Sequence, residues 1–240
     1  MMTPQRHRLR LVDAHMLSPA VRSLGFQAVG SPPRYAAGQS MNLHVPTAGG
    51  LVMCRPYSVA SAPDDSGRLE FAVTRVDGGP TSTALHALIP GAVIEADGPN
   101  RGWLARREAE RAAPALLVAT GSGLAPFRAL LQEELARGEG PPIGLVFGCR
   151  TQADILWRDE LERWAALRPR FSLTVTLSRP DADWHGPTGW VQRHVPAAMR
   201  ALRPELVLLC GLSPMTENVE REVIASGVPA HAVRVEAYDS

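Results

Sequence analysis

In the N-terminal part of the chain, apolar and polar positions alternate in short runs. "MNLHV" at 41–45 and "LEFAV" at 69–73 place every second side chain on one face, and clusters at "VGSPPRYAAGQ", "SAPDDSG" and "DGGP" interrupt such runs. A period of two is that of a half-buried strand, and turn-forming clusters between strands predict an antiparallel β domain. Near residue 110 the rhythm changes. "PALLVAT" is a continuous apolar run, after which Phe127, Leu130, Leu131 and Leu135 recur at helical spacing until Gly138. "IGLVFG", "FSLTVTLS" and "ELVLLCG" read as further strands, and "QADILWRDELERWAAL" as a helix. Strands alternating with helices predict a parallel sheet with crossover connections. The charged, alanine-rich "ARREAERAAP" divides the chain into a β unit over 1–110 and an α/β unit over 111–240.

Composition narrows the functional classes. The 240 residues are 45% hydrophobic and 20% charged, ample for a packed core. A net charge of +1 argues against nucleic-acid binding through bulk charge. No run has the length of a membrane span and no N-terminal apolar segment reads as a signal peptide, so the cytoplasm is the expected location. Cys54, Cys149 and Cys210 lie far apart, giving no closely spaced set for an iron–sulfur cluster or structural zinc, and no metal is expected. The chain contains no lysine, so every cationic contact other than histidine must come from arginine.

Two segments carry candidate chemistry. In "LVMCRPYSVAS" at 51–61, Arg55 and Tyr57 fall on one side of an extended chain, a guanidinium and a flat ring beside the hydroxyl of Ser58. In "VATGSGLAPFRALL" at 118–131, Gly121 and Gly123 separate a strand from a helix expected to begin near Pro126. Glycines let a backbone approach a phosphate, and a helix N-terminus offers unpaired N–H groups; a tight turn without ligand is the plain alternative. The loop is neither Gly-x-Gly-x-x-Gly nor a P-loop, and Thr120 fills the first glycine slot of a serine-hydrolase elbow.

Taken in order, "RPYS" (55–58), "GGPTSTAL" (78–85), "ATGSGLAPFR" (119–128), "FGCRTQADILWRDEL" (147–161), "LLCGLSPM" (208–215) and "VEAY" (235–238) resemble the motifs of the ferredoxin–NADP reductase family across nearly the whole chain. The resemblance implies an N-terminal antiparallel flavin-binding β-barrel and a C-terminal doubly wound nucleotide-binding domain, with the flavin ring near their junction. It implies that Arg55 pairs with the phosphates of FAD, that Tyr57 stacks on or bonds the flavin, and that Ser58 lies near its N5 atom. Gly79, Thr81 and Ser82 would extend that cradle; Thr120, Gly121, Ser122, Gly123 and Arg150 would hold the dinucleotide. Cys210 would lie beside the nicotinamide in a positioning role, and Glu236 and Tyr238 would supply the C-terminal acid and the ring covering the flavin. Asp239 and Ser240 extend past the aromatic at which the plant-type pattern ends.

The family's Ser–Arg pair for the 2′-phosphate of NADP matches Ser178 and Arg179, with Trp190 at the place of an adenine-stacking ring. Pro180, Thr188 and the 184–189 stretch look more like NADH-linked oxygenase reductases. The reading favours NADPH with NADH as the alternative. Electrons would pass from FAD to an external acceptor protein such as ferredoxin, flavodoxin or an oxygenase component. Arg101, Arg106, Arg107 and Arg111 would steer an acidic partner, or form a solvated mixed-charge connection. A free-flavin or ferric reductase, and a degenerate binding module of the same fold, are the other classes considered.

Overall fold

The protein is described over residues 5–100 and 102–238 from a computed structural model. The alternating runs become β1 (Arg6–Met16), β2 (Val21–Val29), β3 (Ser40–Pro46), β4 (Val52–Ser58), β5 (Arg68–Thr74) and β6 (Val93–Asp97), antiparallel in the order β4-β3-β6-β1-β2-β5. Past the end of β4 the sheet closes on itself: Val59 bridges Phe71, and the Ala60 N–H donates to the Glu70 carbonyl at 2.7 Å. Closure removes most of the exposed edge and gives a barrel. Met41, Leu43 and Val45 point inward from β3 while Asn42 and His44 point out. Inside, Phe26 and Phe71 meet edge to face at 6.0 Å, and Leu85 of α1 (Pro80–Ala87) joins the same core. Each such fully buried side chain contributes about 1.5–3 kcal/mol.

The second half forms β7 (Ala115–Thr120), α2 (Leu124–Ala136), β8 (Ile143–Cys149), α3 (Arg158–Leu167), β9 (Phe171–Leu177), α4 (Val195–Leu202), β10 (Leu206–Leu212), α5 (Ser213–Ala225) and β11 (Val233–Tyr238). The strands pair in parallel in the order β11-β10-β7-β8-β9. β7 is buried on both faces, so its run is unbroken: Leu117 packs with α2 and α3 residues such as Leu130 and Leu161, and Leu116 and Val118 pack with Val195 and Val219 of α4 and α5. The sheet is thus doubly wound, as expected. Two local expectations need correction. The helix read over 152–167 is shorter, because Asp154 Oδ2 accepts from Thr151 N–H and Oγ1 at 3.0 and 2.9 Å and closes a separate turn, and Trp157 then takes a left-handed φ of 47° before α3 starts. α2 starts at Leu124, two residues before Pro126, so the proline sits in its first turn.

The connection between the sheets is of mixed charge and not a steering patch, and it is only partly solvated. Arg106 is buried and donates to the carbonyls of Glu110 and Ala113 at 2.6 and 2.9 Å. Arg111 pairs with Glu133 and Glu134 of α2. Only Arg107 of these three is exposed, and Arg101 lies outside the described residues. Paired and buried guanidinium groups project little field toward a partner.

Candidate functional site

The sheet order reverses between β7 and β10, and it is in a crevice at the carboxyl ends of such strands that ligands of open α/β sheets bind. Close backbone approach shapes this end of the sheet. A Cβ on Gly123 would lie 2.4 Å from the carbonyl oxygen of Cys210, and one on Gly211 would lie 2.2 Å from Thr120 Oγ1. These two glycines therefore let the 121–123 turn and the end of β10 touch. The Thr74 hydroxyl of the barrel donates to Ser122 Oγ at 2.8 Å, which ties the turn to the other unit. Thr120 Oγ1 is buried and has no hydrogen-bond partner among the described residues. An unsatisfied hydroxyl of this kind costs free energy in isolation and suits a polar ligand group in the crevice.

Four predicted residues, drawn from both halves of the chain, converge here. Ser58 Oγ donates to Glu236 Oε1 at 2.9 Å and lies 3.2 Å from the Tyr238 hydroxyl, to which Cys210 Sγ donates at 3.2 Å. The parallel register sets β11 beside β10, Glu236 opposite Cys210 and Tyr238 opposite Leu212, so residues 233–238 are a paired strand and not a frayed tail, while Asp239 and Ser240 lie outside the described residues. Burial, reinforced by the Glu236 charge, pushes the Cys210 thiol far above its ordinary value. It therefore stays protonated and is no thiolate nucleophile. Burial also raises the Glu236 carboxyl, against the opposing bond from Ser58, and raises the Tyr238 phenol well above its usual value.

On β4, Arg55 is exposed, and its Nη1 donates to the carbonyl of neighbouring Cys54 at 2.9 Å. Tyr57 is half-buried; burial raises its phenol, opposed by the Arg55 charge beside it. Thr81 and Ser82 are buried in the first turn of α1. The Ser82 hydroxyl is used within its own turn, accepting from Val76 N–H at 3.1 Å and donating to the Gly79 carbonyl at 3.2 Å. A Cβ on Gly79 would lie 2.9 Å from that hydroxyl, so glycine keeps the turn tight.

At the ends of β8 and β9, Arg150 and Arg179 are exposed and joined by an Arg179 N–H bond to the Arg150 carbonyl at 2.8 Å. Ser178 donates its N–H to the Cys149 carbonyl at 3.0 Å. Trp190 is 67% exposed, beyond the bridge between Leu177 and Thr188. These residues form a cationic rim with a free aromatic face, distinct from the buried cluster around Ser58.

One set of residues was not assigned from the sequence. Arg128 of α2 donates to the Ala60 carbonyl at 3.0 Å and Glu70 Oε2 at 2.9 Å in the barrel and to Glu160 of α3 at 2.5 Å, with its guanidinium 4.7 Å from the centre of the Trp157 ring. It clamps the two units together and so fixes the crevice. The only local signal was its place in "APFR"; its hydrogen-bond partners named above lie 32 to 68 residues away.

A family model described as an oxidoreductase FAD-binding domain matches residues 8–103, and one described as an oxidoreductase NAD-binding domain matches 117–221. Ferredoxin–NADP reductase B of Sorangium cellulosum is 44% identical over 239 residues, covering 96% of each chain. The ferredoxin–NAD(+) reductase component of the alkene monooxygenase system of Xanthobacter autotrophicus is 32% identical, covering 96% of this chain and 69% of its own. The toluate 1,2-dioxygenase electron transfer component of Pseudomonas putida is 33% identical, covering 81% of this chain and 56% of its own. Among solved structures, the ferredoxin reductase in carbazole 1,9a-dioxygenase superposes with a TM-score of 0.84 at 22% identity, over 98% of this chain and 70% of that one, a likeness of fold.

Proposed function

Because the chain belongs to the ferredoxin–NADP reductase family of FAD- and NAD-binding oxidoreductases, we propose that it takes hydride from NADPH onto FAD and passes electrons to a ferredoxin, flavodoxin or oxygenase component. The observation that carries this reading is the meeting of Ser58 from the barrel with Cys210, Glu236 and Tyr238 from the parallel sheet, within 2.9–3.2 Å of one another in sequence-distant pairs. What FAD would supply is a hydride acceptor able to release its electrons singly.

The residues present fit both ligands. Arg55, whose hydrogen bond among the described residues is to a neighbouring carbonyl, is available for a phosphate, and Tyr57 offers a ring face. Gly79, Thr81 and Ser82 shape the N-terminus of α1, where N–H groups favour a phosphate. Thr120 with the 121–123 turn receives the nicotinamide nucleotide, and Arg150, Ser178, Arg179 and Trp190 receive its adenosine end. Two arginines on that rim favour a 2′-phosphate, hence NADPH. Pro180, Thr188 and the 184–189 stretch support NADH as the second reading.

Tyr238 occupies the space between Ser58 and Cys210, so its ring must swing aside before a nicotinamide can enter. It closes an edge strand paired on one side only, by β10, which keeps that movement cheap. Cys210, held as a thiol, packs against the entering ring without reacting. Glu236, its carboxyl raised by burial, accepts from the Ser58 hydroxyl and so orients it at the junction of the two units. We place the division between the units at 110 and the protein in the cytoplasm. No helix among the described residues is long and apolar enough to cross a membrane.

The test is stopped-flow reduction of the FAD-loaded protein by NADPH and by NADH, followed by reoxidation with ferredoxin, flavodoxin, free flavin and ferric complexes. Faster reduction by NADPH and transfer to a protein acceptor are expected. A protein that binds no FAD would be the non-enzymatic module, and one that reduces only free flavin or ferric complexes would refute the partner.

A further inference from the structure

On the outer face of the barrel, three hydrogen-bonded strands each aim one side chain at a single point. His44 of β3 pairs in register with Cys54 of β4, and Asp97 of β6 pairs with Asn42, two residues along β3 from His44. His44 Nε2 lies 2.5 Å from Asp97 Oδ2 and 3.9 Å from Cys54 Sγ, and the three ligand atoms are all within 4.8 Å of one another. The side chains of His44 and Asp97 are each only 14% exposed, while Cys54 is exposed. Asn42 Nδ2 donates to the other Asp97 oxygen at 2.8 Å and so orients the carboxylate. Burial would raise the Asp97 carboxyl, but the bonds from His44 and Asn42 outweigh it and hold the group below its usual value.

The arrangement is not a proton relay. A Cys–His–Asp relay uses the two ring nitrogens on opposite sides, one for the acid and one for the nucleophile. Here Nε2 faces both partners, and one nitrogen has either one proton or one lone pair to offer. Lone-pair donors that converge on a common point from rigid strands suit a cation. We propose that His44, Cys54 and Asp97 form a Zn²⁺ site. One imidazole nitrogen, one thiolate and one carboxylate are the borderline-soft donor set that zinc accepts, and the two anionic ligands balance its charge.

Tetrahedral zinc at ordinary bond lengths sets its ligand atoms about 3.3–3.6 Å apart. The His44–Asp97 pair must open by roughly 1 Å and the His44–Cys54 pair close by a few tenths, both within reach of side-chain rotation. The exposed side leaves the fourth position to water. Binding releases the Cys54 thiol proton to solvent, so affinity rises with pH. Nearby, Arg6 is held by Glu95 at 2.9 Å, which turns its charge toward that acid. The functional consequence follows from position. Cys54 directly precedes Arg55 on β4, an edge strand hydrogen-bonded along its length only to β3, so zinc staples to β3 and β6 the strand that bears Arg55, Tyr57 and Ser58.

The test uses the FAD-loaded full chain, stripped of metal with a chelator and titrated with ZnCl₂ by calorimetry, in parallel with alkylation of Cys54 by iodoacetamide read by peptide mass. One Zn²⁺ per chain should bind with a dissociation constant below about 10 µM, and His44→Ala, Cys54→Ser and Asp97→Asn should each weaken it at least about tenfold. Zinc should slow Cys54 alkylation at least about tenfold, with half-buried Cys149 and buried Cys210 as internal references. Weaker binding to the wild-type chain, affinity that survives all three substitutions, or unchanged Cys54 alkylation in the wild type overturns the site. The alkylation measurement needs no variant and decides the question even where a substituted chain does not fold. Because zinc is read directly, failure here leaves the reductase assignment untouched.

Discussion

Gly123→Ala isolates the close approach that builds the crevice. The residue has φ −59° and ψ −12°, values alanine adopts freely, so conformational strain plays no part. Contact alone decides the outcome. The added methyl would sit 2.4 Å from the Cys210 carbonyl oxygen, 2.7 Å from its carbon and 3.0 Å from Gly211 N, all backbone atoms of a central strand. A carbon and a carbonyl oxygen need roughly 3.3 Å, so the 121–123 turn must separate from β10 by about 0.9 Å. Overfilling of this kind costs about 1–3 kcal/mol, and the lower entropy of the unfolded alanine chain returns about 0.4–1 kcal/mol. The net loss of roughly 0–2.6 kcal/mol lowers the thermal midpoint by at most roughly 10 °C in a chain of this size. The larger effect is kinetic, since a misplacement near 1 Å at a reacting site costs up to about 100-fold. Stopped-flow reduction by NADPH should therefore slow by roughly 10- to 100-fold, while FAD, held by the barrel, is retained as in the wild type. Reduction within about threefold of wild type, with FAD bound, would refute the argument that this contact sets the nicotinamide position.

Three further predictions rest on separate contacts. Arg55→Ala removes a charge-assisted phosphate bond worth about 1.5–3 kcal/mol, so FAD affinity should fall roughly 10- to 150-fold while far-ultraviolet circular dichroism stays unchanged; undiminished retention would place Arg55 outside the flavin site. Arg179→Asp should cut kcat/KM for NADPH at least about tenfold, through KM far more than kcat, and leave NADH nearly unaffected, because a contact distant from the nicotinamide binds ground and transition states alike; an unchanged coenzyme ratio rejects the assignment. Glu236 has a folded-state value raised above the ordinary 4.5, so its stabilising effect is full below that value and is lost as pH rises through the raised one. Glu236→Gln, which removes the buried charge, should gain stability over the wild type as pH rises across that window, and equal denaturation midpoints at acid and neutral pH would contradict it.

Legibility in the sequence followed the range of the interaction. The barrel strands, the β7 turn into α2 and the Arg55–Tyr57–Ser58 segment were readable because alternation, glycine spacing and neighbouring residue types lie within a single local stretch. So were the four residues of the crevice as candidates, through the resemblance of their motifs. Their meeting was not, since Ser58 and Tyr238 are 180 residues apart and come within 3.2 Å only when β11 pairs beside β10. Arg106 and Arg111 fit a steering patch or a mixed-charge connection equally in the sequence, and only α2, by bringing Glu133 and Glu134 beside them, decides between the two. Likewise Cys54 has no metal partner at motif spacing, and the barrel alone sets it against His44 and Asp97. Local pattern determined which elements form and which faces are buried, because backbone geometry and hydrophobic period act over a few residues. Only the tertiary structure decided which charges pair, which thiol is shielded and which hydroxyl is left without a partner, because those outcomes depend on desolvation and on distances between strands far apart in the chain.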